Sequence, residues 1–232
     1  MATVATVFTR VPWVRTPQQV LECLFPTERQ TRGDKAVAPR PENQRVWASL
    51  VKGKSAVIDE VAAEMDRRDT AGLLTRIALT DGERALQIRV KGKLRVTLIL
   101  DWMHVREKLW KAAYGFHAEG SLEADLWVLE RTLRILSGDV GQVVKGLRQS
   151  VTKRRLSGAP QKTLQAVAAY FSKNRSYMSY DQYPSKGWPI ASGPVEGACK
   201  NLIKGPHGTI RHALDPRHGR GRCQAPRHLP LW

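Results

Sequence analysis

The chain has 232 residues, with 38 Lys+Arg against 21 Asp+Glu and a formal net charge of +17, so a polyanion is the expected partner. Its 42% hydrophobic and 25% charged residues are enough to bury a core, which excludes a wholly disordered basic tail. No apolar run approaches the roughly 18 residues of a membrane span and the N-terminus lacks a signal-peptide pattern, so a cytoplasmic protein with no membrane partner is expected.

Residues 2–8 alternate Val4, Thr6 and Phe8 against Thr3, Ala5 and Val7, a strand pattern. Residues 22–42 are polar, with three prolines and no period, and predict a long loop. From 43 to 68, Val46, Leu50, Val57, Ile58, Val61, Ala62 and Met65 fall largely at helical spacing, interrupted by Gly53, which predicts a helix with a kinked start. Two short apolar runs at 73–80 and 95–101 each end at an aspartate and predict buried strands. From Trp102 to about Tyr180 the period is helical throughout: Val105, Leu109 and Tyr114; Leu122, Leu126, Leu129, Leu133 and Leu136; Val143, Val144 and Leu147; Leu164, Val167, Ala168 and Phe171. Trp102, Trp110, Trp127 and Trp188 are expected to anchor this block's core. A Pro- and Gly-bearing loop then leads to a further helix at 195–204. Residues 205–232 hold four of the six histidines and five arginines but no lysine, with no apolar period, and are expected to lack regular structure. Cys23, Cys199 and Cys223 have no CxxC spacing and are expected to be reduced thiols.

The acids at the strand ends are candidate metal ligands, because Mg²⁺ prefers hard carboxylate oxygens. Asp81 ends the first run and is followed by Gly82, which lets the backbone turn away from the carboxylate. Asp101 ends the second run, and Glu196 opens the last helix. Each has a local alternative: Asp81 as a turn residue, Asp101 as the cap of a helix over 102–118, Glu196 as a favourable charge at a helix N-terminus. His104, three residues after Asp101, shares its face and either braces the strand end or fills the core.

Together, LTDGERAL, LILDWMHVREKLWKAAYGFH and YFSKNRSYMSYDQYPSKGWPIASGPVEGACKNLIK resemble the catalytic region of bacterial insertion-sequence transposases of the Kra type, relatives of the Mutator-like transposases. The resemblance covers about residues 1–204, and its most specific pieces are Asp101-x-x-His104 and the element Gly187 to Lys200. It implies an α/β fold with an RNase H-like mixed sheet, incomplete because its first strand is missing. The partial core would occupy 1–101, a large all-helical insertion 102–186, and the final catalytic helix region 187–204. By resemblance, Asp81 and Glu196 are catalytic metal ligands, Asp101 and His104 support them, and Mg²⁺ or Mn²⁺ drives strand cleavage and transfer of DNA. The first catalytic aspartate of such proteins lies on the first strand, and no aspartate precedes Asp34 here. An inactive fragment is therefore expected. Past Lys204 the sequence departs from the family, and a one-base shift of reading frame permits a family-like helical continuation. Residues 205–232 are accordingly expected to be out-of-frame coding sequence.

Basic residues on the helical block are the expected DNA contacts: Arg106 and Lys108, then Lys153, Arg154 and Arg155, then Lys173 and Arg175. Tyr170, Tyr177 and Tyr180 nearby either stack on bases or fill the core. The expected partners are transposon inverted-repeat ends and target DNA, with an intact transposase or a second copy as protein partner. The expected location is cytoplasmic and nucleoid-associated. Two other readings stay open: a catalytically dead DNA-binding remnant, and a basic RNase H-like nucleic-acid-binding protein unconnected with transposition.

Overall fold

The computed structural model describes residues 3–25, 38–49 and 51–193. Within them the chain is mixed α/β, with seven helices and two small sheets. Strand β1 (Thr3–Thr9) pairs antiparallel with β2 (Glu42–Ser49), Thr3 opposite Ser49 and Val7 opposite Arg45, with a register shift between Val7 and Thr9. Helix α1 (Pro17–Leu24) lies between them in sequence. Part of the segment expected as loop is therefore helical. Its start is chemically explicit: Pro17 sits in the first turn, while the Thr16 side chain accepts from Gln19 N and the Gln19 side chain accepts from Thr16 N, a capping box.

The expected kinked helix over 43–68 is corrected. Residues 42–49 are strand β2, and helix α2 (Lys54–Arg68) begins after Gly53. Val46 and Trp47 have β-forming side chains, and pairing with β1 supplies the backbone partners that a helix would otherwise provide. A parallel βαβ unit follows: β3 (Ile77–Thr80), α3 (Arg84–Leu94) and β4 (Thr97–Leu100), in register from Ile77 opposite Thr97 to Thr80 opposite Leu100. Both strands fall inside the expected apolar runs.

Four helices complete the described chain: α4 (Trp102–Ala113), α5 (Leu122–Leu136), α6 (Val140–Lys153) and α7 (Gly158–Asn174). They bury Ile99 and Leu100 of β4 together with Trp102, Leu109, Ile135, Leu147, Leu164 and Phe171 in one core. Trp102 is fully buried and its ring meets Tyr180 edge-on at 5.1 Å, so truncating it to alanine is worth about 3–5 kcal/mol. Trp127 is buried as well, while Trp110 and Trp188 pack against this core from its margin. The leucine stripe read along α5 is only partly inward. Leu122 and Leu126 are exposed, and the helix instead buries Ala124, Trp127, Val128, Thr132, Ile135 and Leu136. Shifting the buried arc in this way brings the indole of Trp127 against Phe116, at 5.3 Å.

A smaller core joins the two sheets. Ile58 and Val61 of α2, Val90 and Leu94 of α3 and Leu98 of β4 are buried together, with Ala5 and Val7 of β1, Trp47 of β2 and Ala78 of β3 packed against them. Helix α2 packs on β1 and α3 on β3 and β4, and the two helices pack on each other, which joins the strand pairs through one helical layer. No helix among the described residues is long and apolar enough to cross a membrane. The helix expected at 195–204, Cys199, Cys223 and the tail 205–232 lie outside the described residues.

Candidate functional site

Because Thr80 and Leu100 are register partners, the next residue on each strand, Asp81 and Asp101, emerges at the same end of the parallel pair. Neighbouring strands run about 4.8 Å apart, and Asp101 N donates to Thr80 O at 2.8 Å, extending the ladder by one step. Two acids widely separated in sequence are thus brought to one edge. The third, Glu196, lies outside the described residues.

The two carboxylates have different surroundings. Asp81 is exposed; its Oδ1 accepts from Glu83 N at 2.9 Å, an Asx turn, and its carbonyl accepts from the Tyr170 hydroxyl at 2.7 Å. Gly82 takes φ +88°, and a Cβ there would approach the Tyr170 hydroxyl to 2.8 Å and Leu100 Cδ1 to 3.0 Å. Glycine is needed on both counts, for the left-handed backbone and for the close approach of α7. The turn role and the outward projection of Asp81 are compatible, since its second oxygen takes no bond from the described residues.

Asp101 is 2% exposed. Its Oδ1 caps α4 by accepting from Met103 N at 3.3 Å and also accepts from Ser192 N at 3.0 Å. Its Oδ2 accepts from the Ser192 hydroxyl and faces His104 Nδ1 at 3.3 Å. Burial alone would raise the Asp101 carboxyl; the hydrogen bonds from His104, Ser192 and Met103 outweigh it and hold the group below its ordinary range. The pairing with Asp101 lifts His104 against the opposing effect of burial, and the nearby charges of Asp81 and Glu107 add to it. His104 is neither a free base nor a core residue: its side chain is 39% exposed and one ring nitrogen is committed to Asp101.

Tyr170 closes the site from α7. Burial pushes its phenol well up, and Asp81, Asp101 and Glu107 push in the same direction, so it stays a neutral donor. The Lys108 ammonium sits 5.6 Å from the Tyr170 ring and 3.2 Å from Glu107. Tyr180 is fully buried and donates to Leu100 O at 2.6 Å, fixing the end of β4 from below. Ser192 is absent from the expected site residues, and Tyr170 is expected only as a base-stacking or core tyrosine. Ser192 lies in the Gly187–Lys200 element, so its place was marked; nothing in the sequence distinguishes Tyr170 from a core tyrosine.

The basic residues do not form one patch. Both on α4, Arg106 lies over the Phe25 ring at 5.9 Å and Lys108 over Tyr170, whose hydroxyl reaches Asp81 O. Lys173 and Arg175 follow at the C-terminal end of α7. Lys153, Arg154 and Arg155 lie at the opposite end of α7, whose 17 residues span about 25 Å. There Arg154 covers the Phe116 ring at 4.6 Å, and its charge acts on His117 and Arg131. Tyr177 and Tyr170 are half-buried and Tyr180 is buried, which leaves little open ring face for bases.

Among the described residues, no group of three or more His, Cys, Asp or Glu converges to hold a metal ion. Asp101 has both oxygens engaged, so of the two acids at this strand edge Asp81 alone keeps an uncommitted oxygen. No protein-family model, curated protein or solved structure shows a significant match to the chain.

Proposed function

We propose that the protein is a transposase-like DNA-binding chain of the Kra insertion-sequence type, built on part of an RNase H-like mixed sheet. One observation carries the reading: Asp81 and Asp101 emerge side by side from neighbouring parallel strands, with His104 bonded to Asp101 on the first turn of the helix that opens an all-helical block. The single apolar cluster that joins β1–β2, through α2, to β3–β4, through α3, supports the fold assignment. On this reading one further strand, bearing the first catalytic aspartate, belongs between β1 and β3.

The chemistry of the donors assigns different roles. Asp81, exposed and with one free oxygen, is the residue that would meet Mg²⁺ or Mn²⁺, jointly with Glu196; such ions supply charge neutralisation and an activated nucleophile for phosphoryl transfer. Asp101 is a positioning residue: it locks the first turn of α4 and the Ser192 segment that leads to Glu196, and it orients His104 toward the same edge. Lys108, over the ring of Tyr170 at the Asp81 turn, would receive a phosphate beside the acids, while Lys173 would act from the end of α7 and Arg175, whose guanidinium lies against Gly141, from the start of α6.

A second reading, a DNA-binding remnant without catalysis, is favoured by the strand edge itself, where Asp101 has both oxygens engaged and Asp81 alone of the two acids keeps one free. A metal-dependent cleavage assay on inverted-repeat DNA, run beside Glu196→Gln, separates the two. The chain alone is expected to bind DNA without cleaving it. Cleavage that requires Mg²⁺ and disappears in Glu196→Gln would sink the remnant reading, and absence of DNA binding would sink both.

A further inference from the structure

Away from the strand ends, three arginines converge on one carboxylate. Glu64 of α2 is buried, with a side chain 1% exposed. Arg45 of β2 donates Nη1 to Oε2 at 2.6 Å. Arg67 grips both oxygens, Nη2 to Oε1 at 2.7 Å and Nε to Oε2 at 3.3 Å, and Arg68 donates Nε to Oε1 at 2.7 Å. The helical spacing of Glu64, Arg67 and Arg68 puts all three on one face of α2, and β2 brings Arg45 to it. Burial alone would raise the Glu64 carboxyl; the hydrogen bonds of Arg67, Arg68 and Arg45 hold it down, to about 2.

A single buried carboxylate needs one counter-charge. Here it has three, and the arrangement leaves donors unused: Arg68 Nη1 is buried without a partner, while the Arg45 and Arg67 side chains remain 56% and 69% exposed. Among the described residues the one other acid lining this place, Glu60, is paired with Lys52. Counting Lys52, Arg45, Arg67 and Arg68 against Glu60 and Glu64 leaves two positive charges in surplus. Arg45, Arg67 and Glu64 line a pocket of about 240 Å³ together with Glu60, Ala63 and Trp47, and the Arg45 guanidinium lies 5.0 Å from the Trp47 ring. Glu64 thus acts as a template. It fixes the planes of the Arg45 and Arg67 forks at the rim of an open hollow whose two glutamates are each held by a further cation, Lys52 on Glu60 and Arg68 on Glu64, the forked geometry that suits phosphate oxygens.

We infer that this arginine cluster is a phosphate clamp for the backbone of a nucleic-acid strand, a contact additional to the basic residues of the helical block. Two features favour a strand over a free small anion: the exposure of Arg45 and Arg67, and the openness of the hollow beside Trp47, which lets a chain enter and leave. The inference rests on DNA being the ligand, as proposed above.

The test is fluorescence anisotropy of labelled single-stranded and duplex oligonucleotides against salt. The wild type is compared with Arg45→Ala/Arg67→Ala, with Arg45→Lys/Arg67→Lys, and with Lys153→Ala/Arg154→Ala/Arg155→Ala. Both clamp variants keep Arg68 on Glu64. Each lost phosphate contact removes about 0.7–0.9 from the slope of log affinity against log salt, so the double alanine variant should lower it by about 1.4–1.8 and weaken binding on the order of tenfold near 0.1 M salt. The lysine variant keeps the charges and should retain the slope while losing part of the affinity. Wild-type slope and affinity in the double alanine variant, with loss only in the 153–155 variant, would overturn the clamp and leave the DNA reading intact. A wild type that binds neither oligonucleotide would overturn both. Should the alanine variant melt before titration, wild-type affinity in the lysine variant would itself refute a forked phosphate contact.

Discussion

Replacing Asp101 by asparagine tests the wiring of the strand edge. The asparagine carbonyl can take over Oδ1 and keep accepting from Met103 N and Ser192 N, at 3.3 and 3.0 Å in the wild type. Its amide then stands where Oδ2 meets the Ser192 hydroxyl and His104 Nδ1. Hydrogen bonds to a charged group are worth about 1.5–3 kcal/mol against 0.5–1.5 for neutral ones, so two downgraded bonds cost about 2 kcal/mol. In a chain of this size that lowers Tm by about 4–8 °C. Folding raises the His104 pKa, so the stability it contributes is fully present below its ordinary value of 6.5 and fades as pH rises through the folded value. Folding depresses Asp101, so its contribution is present above 3.8 and fades as pH falls through the folded value. The pair is strongest between these limits. A thermal-melt cycle of Asp101→Asn, His104→Gln and the double variant should give a coupling of about 1 kcal/mol near pH 5.5 that becomes smaller toward pH 9, where the neutral imidazole keeps a single N–H for the carboxylate. Equal coupling at both pH values, or an unchanged melt in Asp101→Asn, would refute the argument.

Two further substitutions probe the same edge. Gly82→Ala combines a left-handed φ of +88° with a 2.8 Å approach to the Tyr170 hydroxyl and should cost about 1–3 kcal/mol, read as a lower urea midpoint at unchanged m; a midpoint equal to wild type would contradict the close packing of α7 on the turn. Tyr180→Phe removes the 2.6 Å bond to Leu100 O and leaves a buried carbonyl unpaired, costing about 1–3 kcal/mol. Loss of amide-exchange protection at β4 should accompany it, and full protection would count against the bond.

Much of the chain could be read because its signals were local. The apolar runs ending at Asp81 and Asp101 became β3 and β4, and the periods of α6 and α7 buried the expected Val143, Val144, Leu147, Leu164, Val167, Ala168 and Phe171. Helix α1 was equally local, since Thr16, Pro17 and Gln19 spell out a capped start, but the surrounding prolines masked it. Strand β2 was a different kind of miss. Its Val46 suits the helical period that continues into α2, and only the partner strand 40 residues away decides the outcome. At the site, chain position predicted that two acids share an edge. Their division into an exposed and a braced carboxylate depends on Ser192 and Tyr170, which arrive from 90 residues further on and leave no local trace. The arginine cluster escaped for the same reason: Arg45 joins Glu64 only once β2 is a strand.

The unequal size of the two cores bears on how the molecule opens. The helical block and β4 share the large cluster, whereas β1 and β2 rest on a layer with five buried residues, Ile58, Val61, Val90, Leu94 and Leu98, and every residue of β1 remains partly accessible. Opening free energies follow buried apolar contact, so β1, β2 and the face of α2 form the unit that detaches first while β4 and the helices stay closed. Amide exchange would then be graded along the chain, fast over residues 3–9 and 42–49 and slow from Leu98 onward. Ligation of Arg45 and Arg67 would fasten β2 to α2 across the seam of that weaker unit, so that whatever occupies the hollow also sets how often the layer lifts away.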